Sequence, residues 1–157
     1  MKFFALITLP LYALDQLTKW LVLRNIEFGD GRVIIPGLFD LVHVHNTGAA
    51  FGTSFPHSNV AFTVLSVVTL CVLGVCAWRG VFRDGWTQTG VALLAAGVIG
   101  NLTDRLVHQY VIDFLDFYIR DHHWPSFNVA DSCICVAATV FIIASLREKN
   151  AATPATE

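Results

Sequence analysis

The feature that most constrains this chain is the gathering of its apolar residues into long uncharged blocks. Residues 59–78, 86–103 and 132–146 contain no Asp, Glu, Lys or Arg, and residues 3–23 are apolar apart from Asp15, Gln16, Lys19 and a few hydroxyls. Charged residues make up 14% of the chain and hydrophobic ones 55%, whereas soluble domains carry about 25% charged residues. A helix needs roughly 20 apolar residues to cross the hydrocarbon core of a bilayer. Spans are therefore expected at about 3–23, 59–78, 86–106 and 127–146, which makes this an all-α membrane protein with four transmembrane helices.

Lys2 ahead of the first block is how a cleavable signal peptide begins. No small-x-small site follows, however, and "LDQLTKW" puts charge where processing needs small residues. The first block is expected to remain as an anchor. Residues 1–150 then read as a single integral membrane domain, with the polar, small-residue segment 151–157 as a disordered cytoplasmic tail.

Between the first two spans, "RVII" and "LFDLVHVH" alternate and are rich in β-branched residues, with Gly-Asp-Gly and Pro-Gly turns as punctuation. They predict a small antiparallel β-sheet on the extracytoplasmic membrane surface, between helices 1 and 2, ending in the turn "NTGAAFG". The second long loop carries Tyr110, Phe114, Phe117, Tyr118 and Trp124, residues suited to the membrane–water interface. A net charge of −2 gives no nucleic-acid footprint. Cys71, Cys76, Cys133 and Cys135 lie inside spans without C-x-x-C spacing and read as packing residues.

Gly97, Gly100, Asn101 and Asp104 share one face of the third span. The glycines admit a neighbouring helix, and Asn101 and Asp104 offer hydrogen bonds across the contact. Asp104 beside Arg105 reads equally as a local ion pair and as a catalytic acid. Asp113, in "YVIDFLDF", is set among Val111, Ile112, Phe114 and Leu115 with no Lys or Arg within five residues on either side. An apolar setting raises a carboxyl pKa. Asp131 stands at the mouth of the fourth span, where it reads on its own as an N-cap or first-turn acid. Together the two acids suggest a proton-sharing pair, one activating water as general base while the other polarises a carbonyl. His43 and His45 fall on one face of a strand, and His122 and His123 are adjacent, but no H-E-x-x-H is present. No metal or other cofactor is expected, and the histidine pair has no role that spacing reveals. A small transporter or channel and a purely structural subunit would use similar intramembrane acids. The siting of these acids near one surface, under a folded loop, favours hydrolysis.

Taken together, "DQLTK" at 15–19, "NTGAAF" at 46–51, "GNLTDR" at 100–105, "VIDF" at 111–114 and "FNVAD" at 127–131 resemble the bacterial lipoprotein (type II) signal peptidase family. The motifs are in the family's order and cover the whole chain. The resemblance implies an aspartic endopeptidase of the inner membrane, acting as a monomer on diacylglyceryl-prolipoproteins drawn from the membrane lipid. The cut falls just before the lipidated cysteine. It places the catalytic pair on Asp113 and Asp131 and supporting residues on Asp15, Lys19, Asn46, Gly48, Gly97, Asn101, Arg105, Asn128 and Ala130. It leaves Asp104 outside the pair. Asp15 and Lys19, one helical turn apart, are expected to brace the extracytoplasmic loop.

Orientation follows from the basic residues. The short segments 1–2, 79–85 and 147–157 hold Lys2, Arg79, Arg83, Arg147 and Lys149, whereas the much longer segments 24–58 and 104–126 hold Arg24, Arg32, Arg105 and Arg120. Both termini are therefore expected in the cytoplasm. A reporter that works in the cytoplasm, joined after residue 157, should be active; activity confined to an exported reporter there would reverse the assignment.

Overall fold

The structure is a computed structural model that describes residues 4–48 and 58–152. A π-helical turn, Phe4–Thr8, leads into α1 (Leu9–Asn25), followed by β1 (Gly31–Ile35), β2 (Phe39–Asn46), α2 (Ser58–Trp78), α3 (Gly85–His108), β3 (Val111–Ile119), β4 (His122–His123) and α4 (Val129–Ala152). Ala49, Ala50 and Phe51 of the expected "NTGAAF" turn lie outside the described residues. Helix α4 continues to Ala152, two residues into the expected disordered tail, and the rest of that tail also lies outside them.

Among the described residues, three helices are long and apolar enough to cross a membrane: α2, α3 and the Val129–Arg147 part of α4. Helix α1, 17 residues long, carries Asp15, Lys19 and Arg24. The molecule is inside-out relative to a soluble protein. Buried polar side chains include Asp15, Lys19, Asn101, Asp104 and Asn128, while Leu6, Leu9, Leu14, Leu17, Val60, Val64, Leu65, Val68 and Ile142 stand exposed. A hydrocarbon solvent rewards that inversion, because buried polar groups then find partners inside the bundle.

The central helix is α3. It packs against α1, α2 and α4, and its Val91, Ala92, Ala95, Ala96, Gly97 and Gly100 are buried. Small residues are needed because the backbones come close, as is usual between membrane helices. A methyl group at Gly97 would collide with the Ala130 carbonyl oxygen and lie 2.7 Å from Ile134 Cγ1. One at Gly100 would lie 2.6 Å from Asp15 Oδ2 and 3.1 Å from Ala130 Cβ. The two glycines bring α3 against the start of α4, with α1 wedged beside them.

The sheet is larger than expected. Its order is β1-β2-β3-β4 and every pairing is antiparallel. Strands β3 and β4 come from the α3–α4 connection, so the sheet is not confined to the segment between helices 1 and 2. The segment "VIDFLDFYI" shows no two-residue alternation because Val111, Ile112, Asp113 and Phe114 are all buried. A strand covered on both faces loses that signature. A tight left-handed cap at Gln109 (φ 68°) ends α3 and sends the chain into β3. Phe127 then pairs with Leu115: its N–H donates to the Leu115 carbonyl at 3.1 Å and its carbonyl accepts from Leu115 at 2.8 Å. That bridge docks the entrance of α4 on β3.

The close approach at Gly97 makes a clear test. Gly97→Ala must push backbone against backbone and is expected to lose about 1–3 kcal/mol by overpacking. Gly74→Ala, with nothing within 4 Å of the added methyl, should be neutral or slightly stabilising from helix propensity. Thermal unfolding in detergent distinguishes the two; equal midpoints would contradict the packing described.

Candidate active site

Strand β3 delivers Asp113 and helix α4 delivers Asp131, while β2 brings Asn46 to meet Asp113. Residue 113 lies opposite Val44 in the β2–β3 ladder, with Asn46 opposite Val111. Asn46 and Asp113 are thus diagonal neighbours on one sheet face, within reach of polar side chains. Asn46 Nδ2 donates to Asp113 Oδ2 at 2.9 Å. The Asn46 side-chain oxygen accepts from the Gly48 N–H at 2.9 Å. Gly48 has φ 103°, and a Cβ there would lie 2.7 Å from Ser58 Oγ. A glycine is required at that turn on both counts.

Helix α4 opens on a reciprocal cap. The Asp131 N–H donates to Asn128 Oδ1 at 2.9 Å, and the Asn128 N–H donates to Asp131 Oδ2 at 3.2 Å. This is the capping-box arrangement, with Asp in place of the usual Glu or Gln. The first-turn role read for Asp131 from sequence is therefore real, and it coexists with another. Asp131 Oδ1 accepts from Asn101 Nδ2 at 2.8 Å. Asn128, fully buried, also donates through Nδ2 to Asp113 Oδ1 at 2.8 Å and reaches Asn101 Oδ1 at 3.2 Å and the Ile112 carbonyl at 3.3 Å. One asparagine thus touches both carboxyls.

Behind the pair lies a buried ionic cluster. Lys19 Nζ is 2.9 Å from Asp15 Oδ2, 2.8 Å from Asp104 Oδ2 and 3.1 Å from Asn101 Oδ1. All three ammonium hydrogens have acceptors. Asp15 Oδ1 accepts from the Ala130 N–H at 2.9 Å, and Asp104 Oδ2 accepts from the Ile112 N–H at 3.1 Å. Two sequence expectations are corrected here. Asp104 pairs with Lys19 rather than with its neighbour Arg105, because its side chain faces into the bundle. Asp15 and Lys19 clasp α1 to α3 and to the first turn of α4, not to the extracytoplasmic loop. Arg105 instead places its guanidinium 5.2 Å from the centre of the Phe62 ring, with Nη1 3.5 Å from the Asn101 carbonyl.

The structure brings Asp15, Lys19, Asn46, Asn101, Asp113, Asn128, Ala130 and Asp131 into one hydrogen-bonded network, with Gly97 and Gly100 as the close contacts that allow it. Sequence reading passed over Gln16. Its Nε2 lies 3.1 Å from Asp15 Oδ2, 3.2 Å from Asp104 Oδ1 and 3.3 Å from the Gly100 carbonyl. Its place inside "DQLTK" was the available signal. Among the described residues, no group of three or more His, Cys, Asp or Glu side chains is arranged to hold a metal ion.

Burial, and then the negative charge of Asp131, push the Asp113 carboxyl up to about 7, against the opposing pull of the Asn46 and Asn128 amides and the Lys19 charge. An acid with that value keeps its proton through the mildly acidic range and can donate it near neutrality.

A sequence model of the Signal peptidase (SPase) II family matches residues 7–147. The chain belongs to this family of membrane peptidases. It is similar to the lipoprotein signal peptidase of Solibacter usitatus, 38% identical over 146 residues that cover 90% of this chain and 89% of the relative. The lipoprotein signal peptidase of Nitratidesulfovibrio vulgaris is 40% identical over 141 residues, covering 87% and 85%. A solved bacterial membrane enzyme superposes with a TM-score of 0.86 at 27% identity, covering 98% of this chain and 93% of its own. A second superposes at 0.81 and 29% identity, covering 91% and 92%.

The raised Asp113 value has a thermodynamic signature. Folded Asp113 keeps its proton to about 7, whereas its ordinary value is 3.8. Between those limits the folded state binds more protons than the unfolded one, so this residue's contribution to stability falls as pH rises. Asp113→Asn removes the contribution. From about pH 5 to about pH 8 the thermal midpoint of the variant should fall less than that of the wild type. Parallel curves would show that Asp113 is ionised across the range.

Proposed function

We propose that the chain removes the signal peptide from prolipoproteins whose lipobox cysteine carries diacylglyceryl, cutting just before that cysteine, with Asp113 and Asp131 as the catalytic pair. The observation that carries the assignment is Asn128, which hydrogen-bonds to both carboxyls. Asp131, which accepts from Asn101 Nδ2 and the Asn128 N–H, acts as the general base that takes a proton from the attacking water. Asp113, holding its proton near neutral pH, gives it to the scissile carbonyl oxygen as the tetrahedral intermediate forms. On collapse, Asp113 takes that proton back, and Asp131 passes its new proton to the departing cysteine amine. Both carboxyls end as they began. Asp15, Lys19, Asn101 and Ala130 hold the pair in register. Gly97 lets the helices approach, Gly48 shapes the turn that aims Asn46, and Arg105 borders the pair.

Four crossings fit this reading. The α1–α2 and α3–α4 connections build one sheet, so α2 and α3 must leave that side of the bilayer and return. Helix α1 buries Asp15 and Lys19 and turns Leu9, Leu14, Leu17 and Leu21 outward, which suits a first span despite its charges. Arg79 and Arg83, in the short α2–α3 connection, then mark the cytoplasmic side of the inner membrane. The sheet is extracytoplasmic, and the enzyme works as a monomer on substrate that reaches it through lipid.

Cleavage of purified diacylglyceryl-prolipoprotein by matched amounts of folded protein tests the assignment. Asp113→Asn and Asp131→Asn should each slow the reaction on the order of 10²–10⁴-fold, and the double variant should be little worse than either, because the pair acts as a unit. Asp104→Asn should keep residual activity. Unlipidated precursor should be cut far more slowly, since each buried acyl CH₂ contributes about 0.8 kcal/mol. An active Asp113→Asn beside a dead Asp104→Asn would transfer the role to Asp104.

A further inference from the structure

Of the two histidines that spacing left without a role, His45 sits one residue from Asn46 in the site. His45 lies between two rings: Phe28, with centroids 4.1 Å apart and planes at 25°, and Tyr110, at 3.6 Å and 19°. His108 in turn stacks with Tyr110, with centroids 5.7 Å apart. The column crosses three parts of the chain, namely the α1–β1 connection, strand β2 and the corner where α3 turns into β3. His45 lies opposite Ile112 in the ladder, and Asn46 lies opposite Val111. The stack therefore clamps the end of the ladder at which the Asn46 amide meets Asp113 at 2.9 Å.

A hydrogen-bonded chain sets the protonation of the stack. His43 Nδ1 is 2.9 Å from the Ile26 carbonyl oxygen, which can only accept, so Nδ1 carries the hydrogen. In the neutral ring His43 Nε2 is then the acceptor, and His45 Nε2, 3.1 Å away, must donate. A proton added to His45 would place a cation beside His43 and His108.

We infer that His45 is a positioning residue for the peptidase reaction, which holds the end of β2 so that Asn46 is aimed at Asp113, and that it does so while its imidazole is neutral. The inference rests on the reading of Asp113 as catalytic. Among the described residues, the titratable groups around His45 are His43 on its own strand, His108 at the end of α3 and the Tyr110 phenol; Phe28 brings no charge. Partial burial and the nearness of His43 and His108 lower the His45 pKa below 6.5. The clamp is therefore whole at neutral pH and fails in acid. By the same shift, the unfolded chain takes up this proton first as pH falls, so the contribution of His45 to stability is lost in acid as well.

The test compares kcat and KM for cleavage of lipidated precursor between about pH 5.5 and about pH 7.5, the range of histidine titration. His45→Ala, which empties the space between the rings, should lower kcat on the order of tenfold through misplacement of the site, with KM little changed. His45→Phe restores a flat ring that does not titrate. It should recover most of that kcat at the neutral end and lose less rate than the wild type toward the acid end. If both variants follow the wild-type profile, or if His45→Phe declines in acid as steeply as the wild type, the inference is overturned. Should His45→Ala give no folded protein, the His45→Phe profile decides alone. An Asp113→Asn control separates the two readings: activity there removes the catalytic assignment, whereas a dead control beside an unaffected His45 series removes this one.

Discussion

An ammonium group buried among helices is the constraint from which the rest of this architecture follows. Lys19 lies within 3.1 Å of Asp15, Asp104 and Asn101 and is 2% exposed. A charge in that position is costly unless paired and hydrogen-bonded, and its partners come from two helices. Meeting it requires α1 and α3 to be in one rotational register. The same carboxylates also take the Ala130 N–H, on the second oxygen of Asp15, and the Ile112 N–H, on the Asp104 oxygen that meets Lys19. Those two N–H groups belong to the open first turn of α4 and the beginning of β3. One cation thereby fixes where a third helix starts and where a strand begins. Those are the two places from which the candidate catalytic acids project.

The same economy governs the asparagines. Lys19 and Asn128 both aim donors at Asn101 Oδ1, which leaves Asn101 Nδ2 to face Asp131. An amide has two ends that differ by a flip, and the surrounding donors choose one. Asn128 is similarly committed by its cap to α4 and its contact with Asp113. The geometry of the pair is set by neutral amides held from behind by an ionic cluster, and the acids themselves are free to differ in protonation. Burial and Asp131 raise Asp113 even though the Asn46 and Asn128 amides pull the other way.

Much of this was legible in the sequence. Charge-free runs located α2 and α3 to within two residues, and the start of α4 but not its end at Ala152, since a bilayer imposes length and composition directly. The polar residues of "DQLTK", "GNLTDR" and "FNVAD" stood out because polar groups in such runs are rare. Their partners did not. Asp104 could be read against Arg105, its neighbour in the chain, and nothing local says that a lysine 85 positions earlier lies closer (2.8 Å). Strand β3 was hidden because burial on both faces erased its alternation. The stacking of His45 on Tyr110 joins rings from different segments, which no periodicity records. Pairings that depend on the tertiary fold are invisible to composition, whereas those imposed by the solvent are not.

The reciprocal cap at the start of α4 has a kinetic meaning. Asp131 Oδ2 satisfies the N–H of Asn128, which would otherwise be one of the orphan donors at a helix entrance. In the proposed mechanism Asp131 takes up a proton from water and releases it to the departing amine in every turnover. A neutral carboxyl is a poorer acceptor than a carboxylate, so the clasp on the first turn of α4 weakens and tightens in step with the reaction. Asn128 also holds Asp113, so the slackening reaches the other acid of the pair while the intermediate exists. The enzyme's chemical clock and the breathing of one helical turn would then keep the same time.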